Sequence, residues 1–175
     1  MLLIAAPSML DPNFRRSAIL LIGHDADGAL GVVLNRPTEL RVCDLVEQLT
    51  PLAGTDALIH EGGPVQRDGL VVLADFATGD AESTFLLDTI RMISEADDLE
   101  TLGAEVERAR VFVGYAGWAP GQLEAELARE DWILAQAQAE DVFCDQPSAL
   151  WASVLTRKGG AYRYAASMPD DPSLN

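Results

Sequence analysis

Two unbroken apolar runs limit the fold more than any other feature of the sequence. Residues 18–23 (Ala-Ile-Leu-Leu-Ile-Gly) and 30–34 (Leu-Gly-Val-Val-Leu) are each of strand length, and His24-Asp25-Ala26-Asp27-Gly28 lies between them. Asp-Gly supplies the positive-φ position of a tight hairpin turn. Neither run alternates with polar residues, so the sheet they build must be covered on both faces. A covered sheet needs layers of other elements around it, and the chain has material for them. It has 175 residues, 49% of them apolar. That is one domain with one hydrophobic interior, burying roughly 70% of the surface an unfolded chain exposes.

The remaining pattern supplies those layers. Residues 2–5 form a short apolar strand stopped by Pro7, and Asp11-Pro12-Asn13 gives a turn. Pro37 drives Arg36 out of the helical region and ends the second run. Val42, Leu45, Val46 and Leu49 stand at helical spacing, which predicts a helix over 41–49. Residues 57–60 and 69–74 read as a second hairpin across Glu61-Gly62-Gly63-Pro64, and 84–93 reads largely as strand. A helix is expected over 97–106 with Asp97 or Asp98 as N-cap. Strand 111–115 then feeds a helix whose first turn holds Pro120. Its inner stripe is Leu123 and Leu127, with Glu124, Glu126 and Glu130 toward water. Residues 132–134 suggest a short strand, 148–158 a helix capped by Ser148, and 161–165 a returning strand after Gly159-Gly160. No internal repeat beyond the two hairpins is visible.

Charge sets the partners. Lys plus Arg number 12 against 28 Asp plus Glu, a formal net charge of −16. A field of that sign repels phosphate backbones, so direct nucleic-acid binding is disfavoured, as is an anionic membrane surface. A basic protein partner suits it. The cysteines, Cys43 and Cys144, have no paired spacing and fit a reducing compartment. Beside Asp44 and Asp145 they lack the electropositive surroundings of reactive thiols. No segment approaches the ~20 apolar residues of a membrane helix, and the N-terminus lacks the cationic start of a signal peptide. These features together predict a cytoplasmic protein.

Segments 7–17 (PSMLDPNFRRS), 28–37 (GALGVVLNRP), 61–65 (EGGPV) and 113–124 (VGYAGWAPGQLE), in that order and spacing, resemble the AlgH/YqgE family, with Trp132 and Trp151 also in place. The likeness runs over about residues 1–165. It implies an α+β fold, a single domain over 1–166 built round a large mixed, mainly antiparallel β-sheet with flanking helices. Residues 167–175 then form a mobile tail. The family carries a transcriptional-regulator label with no settled biochemical activity, which implies a regulatory or interaction protein acting indirectly. At residues 167–172 the sequence departs from the frequent Gly-His-Ala close of the family, so no role of that histidine transfers.

The candidate ligand- or partner-binding residues are Asn35, Arg36, His60, Glu61, Gly62, Gly63, Gly117 and Trp118, expected to converge at strand ends. A glycine-containing turn before a helix can hold an anion. Yet residues 114–121 carry no Lys, Ser or Thr and match no phosphate-loop pattern, so a corner plugged by Trp118 is the stronger reading. Arg36 is expected to pair with an acidic residue. The alternative is a small-ligand binder or enzyme using a cleft near Arg36, His60, Glu61 and the loop 114–121, with Arg36 as anion anchor and His60 or Glu61 as proton carrier. No catalytic set, metal site or cofactor motif is read: Ser17 and His24 stand at opposite ends of one strand, roughly 23 Å apart, and His24, His60, Cys43 and Cys144 lack ligand spacing.

Overall fold

The computed structural model describes residues 1–78, 86–94 and 97–168. Its first three strands are β1 (Leu2–Ala5), β2 (Ala18–Asp25) and β3 (Gly28–Val33), paired antiparallel in sequence. The tight turn forms as expected, with the Asp25 carboxylate accepting the Asp27 N–H at 2.8 Å and Gly28 at φ +133°. Both faces are covered. Leu2, Ile4, Ala18, Leu20 and Val32 point into one core, whereas Leu3, Ala5, Ile19 and Val33 point into another on the opposite face.

The next segment departs from expectation. β4 (Pro37–Arg41) is followed by α1 (Val42–Leu45), a 3₁₀ turn at Glu47–Leu49 and α2 (Thr50–Ala53), in place of one helix over 41–49. Val46 leaves the helical region (φ −140°, ψ 70°) and Pro51 restarts the coil. The apolar stripe still does its work, because Val42, Leu49 and Leu52 meet Ile59 and Val72 in a third core.

β5 (Leu58–Glu61) and β6 (Val65–Phe76) do not form the expected second hairpin. β7 (Ile90–Ile93), α3 (Leu99–Leu102) and the long β8 (Val106–Trp118) come next. β5 runs parallel to β8, pairing His60 with Phe112, while β6 runs antiparallel along the opposite edge of β8 and pairs Val71 with the same Phe112. β7 pairs with β6. Within the strand expected over 84–93, Thr84 and Phe85 lie outside the described residues. The helix expected over 97–106 is only α3, capped by Asp98, whose side chain accepts the Glu100 N–H.

α4 (Gln122–Ala128) starts from Gly121 at φ +75°, so Pro120 precedes the helix and does not occupy its first turn. β9 (Trp132–Ala135) closes the sheet against β1. Then come α5 (Ala139–Val142), a 3₁₀ turn at Pro147–Ala149, α6 (Leu150–Lys158) and α7 (Tyr162–Ala166). The N-cap of α6 is Ala149, not Ser148. Residues 161–165 are helical, not a strand: Gly159 and Gly160, both at positive φ, reverse the chain into α7. Strand order is β4-β5-β8-β3-β2-β1-β9, with β6 and β7 branching from β8. The result is the α+β architecture with a mixed, mainly antiparallel sheet that the resemblance implies. Of the tail, residues 169–175 lie outside the described residues.

Candidate functional site

Gly62, Gly63 and Gly114 meet where two segments of the backbone cross. Beyond Glu61 the chain leaves β5, passes over β8 and joins its far edge as β6, where Val65 pairs with Tyr115. Gly62 N–H donates to Val113 O and Gly62 O accepts the Val33 N–H, both at 2.8 Å. At the crossing a Cβ on Gly114 would stand 2.5 Å from Gly63 O and 2.9 Å from Val65 O, and one on Gly63 would collide with the Tyr115 carbonyl. Gly63 adopts φ +152° and Gly114 φ +67°. Only glycine allows backbones this close in such conformations.

Asn35 and Arg36 lie beside this crossing, and both side chains bond main-chain atoms. The Asn35 side chain accepts the Ala18 N–H at 2.9 Å and donates to Arg16 O at 2.8 Å, clamping the loop before β2 to the end of β3. The Arg36 guanidinium donates to Pro12 O and Arg15 O at 3.1 and 3.2 Å. It therefore ties down loop carbonyls, where the sequence suggested a carboxylate partner. Burial lowers its pKa, and the Glu61 charge offsets part of that. Glu61 itself pairs with Arg67 at 3.3 Å. Arg36, Glu61, Gly63 and Pro64 line a crevice with Asn13, but it has no volume open to a water molecule.

His60 faces elsewhere. It is 5% exposed, packed on Phe112 at 5.7 Å between ring centroids. Its Nδ1 lies 3.2 Å from Leu58 O, an acceptor only, so Nδ1 carries the proton and donates. Burial, and secondarily the Arg110 charge, lowers the pKa to about 4. His60 is thus neutral at pH 7 and enclosed, remote in kind from an exposed proton carrier.

Gly117 and Trp118 sit toward the opposite end of β3, pairing with Leu30 and Ala29. Trp118 is 6% exposed. It stacks on Phe14 (6.4 Å, 22°) and meets Trp132 edge-on (5.9 Å, 78°). Its indole N–H donates to Glu126 at 2.8 Å, and the same carboxylate oxygen takes the Trp132 indole at 2.7 Å. Glu126, assigned to solvent by helical spacing, is the residue that sequence reasoning missed. A half-buried carboxylate four residues past the start of an amphipathic helix looks like any surface glutamate until both tryptophans are placed. The plug reading of Trp118 is the one its burial supports. The candidate residues hence divide between the crossing (Asn35, Arg36, Glu61, Gly62, Gly63), the core (His60) and the far end (Gly117, Trp118).

This crossing, the long shared β8 and the sheet order can be set beside known proteins. The AlgH-like family model matches residues 2–163. The chain belongs to the AlgH-like family. A UPF0301 protein of Streptomyces coelicolor is 41% identical over 180 residues, covering 99% of this chain and 93% of the relative. One from Chlorobaculum tepidum is 36% identical, covering 99% and 94%. Among solved structures, a Corynebacterium diphtheriae protein superposes with TM-score 0.87 at 30% identity, covering 95% of this chain and 90% of that one. The solution structure of the AlgH protein from Pseudomonas aeruginosa superposes with TM-score 0.69 at 34% identity, covering 96% and 92%. The names of these AlgH-like relatives state no biochemical activity.

For this AlgH-like chain the sequence arguments about catalysis keep their geometry. Ser17 directly precedes β2 and is buried, whereas His24 lies near the other end of that strand and bonds Glu124 at 2.6 Å. Cys43 and Cys144 are unpaired thiols. Among the described residues no group of three metal-capable side chains comes together, and no helix is long and apolar enough to cross a membrane.

Proposed function

We propose that this AlgH-like protein is a non-enzymatic regulatory or interaction protein of the cytoplasm, acting on another protein and not on DNA. One observation carries the reading. At the β4–β5 edge, one terminal edge of the sheet, Leu40, Leu45 and Leu58 are 53%, 58% and 38% exposed. Exposed carboxylates of Glu39, Glu47 and Asp56 accompany them, while Asp44 is already paired with Arg41 at 3.0 Å. Leucines left in water on neighbouring elements favour association. The surrounding negative charge selects a partner segment with apolar side chains flanked by Lys or Arg. The small-ligand alternative draws less support: Arg36 and Glu61 border closed space and His60 is buried, while Gly117 and Trp118 line a separate hollow of about 460 Å³ beside Asp25 and Asp27.

The test places a photo-cross-linking residue at Leu40 and, as a remote control, at Leu134, in cells. The reading expects one basic protein attached at Leu40 alone, lost when Leu45→Glu is added. A self-adduct, no adduct, or the same adduct from Leu134 refutes it. In parallel, purified protein should shift double-stranded DNA no better than an inert acidic control at about 0.15 M salt, because each phosphate contact needs a cation. Sequence-selective submicromolar binding would restore the direct regulator.

A further inference from the structure

Lys158 stands out in a chain of net charge −16. Its ammonium forms no ion pair among the described residues. It donates to Leu134 O at 2.7 Å and lies 5.1 Å from the Tyr162 ring centroid. Its neighbour Arg157 is different, bound at both nitrogens to the buried Asp141 at 2.7 and 2.8 Å. Lys158 sits on the wall of a 650 Å³ cavity between the turn after β1, strand β9 and the α6–α7 junction. That volume is typical of small-molecule sites. Apolar residues Pro7, Leu127, Trp132 and Ile133 contribute to its lining. Of the other charged groups there, Arg129 is already paired with Asp131 at 2.8 Å, and Glu130 adds a carboxylate.

A cation without a counter-ion beside an apolar wall selects an amphipathic anion. Strand addition by a peptide fits less well. The carbonyls of Leu134 and Gln136 already accept Lys158 and Arg157, which occupies the edge an added strand would use. We propose that this cavity binds a small organic acid with an apolar body, its anionic group at Lys158 and its body against the exposed Leu134 and Tyr162 of the lining. The ammonium has three donors and spends one on Leu134 O, so two remain for a carboxylate, sulfonate or phosphate oxygen. The site is independent of the β4–β5 edge.

The probe is 1-anilinonaphthalene-8-sulfonate, an aryl sulfonate, titrated into the full chain. Saturable one-to-one binding with tryptophan-to-probe energy transfer is expected, since Trp132 lines the cavity. Lys158→Glu should weaken it at least about fivefold, and Lys158→Arg should stay within about twofold. Lys158 is exposed, so both variants should keep the wild-type circular dichroism, with Lys158→Glu melting about a few degrees lower for the lost bond to Leu134 O at the end of α6. Leu40→Glu should change nothing. The proposal is overturned by no saturable binding, by unchanged affinity in folded Lys158→Glu, or by equal affinity for uncharged N-phenyl-1-naphthylamine.

Discussion

Trp118→Ala should cost the fold about 4–5 kcal/mol, the upper half of the range for a buried aromatic cut to alanine. The ring is 6% exposed, and its removal opens a void between Phe14 and Trp132 that backbone pairing of Trp118 with Ala29 prevents from closing. Each lost ring pair adds about 0.5–1.5 kcal/mol to the transfer term. Glu126 is not orphaned, because Trp132 and Gln122 still donate to it at 2.7 and 2.9 Å. The loss is therefore mainly packing. Trp118→Phe, which keeps a ring and discards the N–H, should cost about 1–3 kcal/mol. Urea unfolding followed by circular dichroism is the assay, since the variant removes one of the three tryptophans and changes the fluorescence baseline. With a slope near 2 kcal/mol/M, the alanine midpoint should drop by about 2 M. A loss under about 1 kcal/mol would refute the plug and return Trp118 to the binding candidates.

Gly63→Ala should lower stability by more than about 3 kcal/mol, from strain at φ +152° together with the collision against Tyr115; a soluble variant with wild-type melting would sink the crossing argument. Arg157→Met leaves the Asp141 carboxylate, 3% exposed, without its bidentate partner. About 3–5 kcal/mol should be lost in urea titration at pH 7, and Asp141→Asn in the same background should recover part of it. The pH response of His60 has a fixed sign. Its pKa is 6.5 in the unfolded chain and about 4 when folded. Its contribution is therefore constant above pH 6.5 and is lost as pH falls from 6.5 to 4, by up to about 2 kcal/mol between pH 7 and 5. Urea midpoints at those two pH values should converge in His60→Phe; an unchanged pH slope in that variant would show that other groups set it.

What the sequence disclosed and what it withheld differ in range. The β2–β3 hairpin was legible because a local turn, Asp25 to Gly28, and two apolar runs specify it without reference to the rest of the chain. The Glu61-Gly62-Gly63-Pro64 turn uses the same local vocabulary, two glycines and a proline between apolar runs, and so reads equally as a hairpin. The two cases separate only through Gly114, which lies in a strand about fifty residues further on. A glycine at φ +67° inside a strand signals that another backbone comes close, but not which one. The same limit applies to the candidate residues. Arg36 read as the partner of a carboxylate, and Asn35 as a binding candidate, because their actual partners are the main-chain oxygens and nitrogens of Pro12, Arg15, Arg16 and Ala18, groups every residue carries and no motif records. Helical spacing misled twice for a related reason: it assigned Glu126 to water and joined α1 to the turn after it, since spacing counts residues and is blind to tryptophans or proline beyond its window. Lys158 reverses the situation. In sequence it is one cation beside another, and only the structure shows that Asp141 captures Arg157 at both nitrogens and leaves Lys158 without a carboxylate partner among the described residues. A motif search favours residues that hold a fold together at close quarters, whereas a site open to ligands is better sought among groups whose bonding capacity the fold leaves unused.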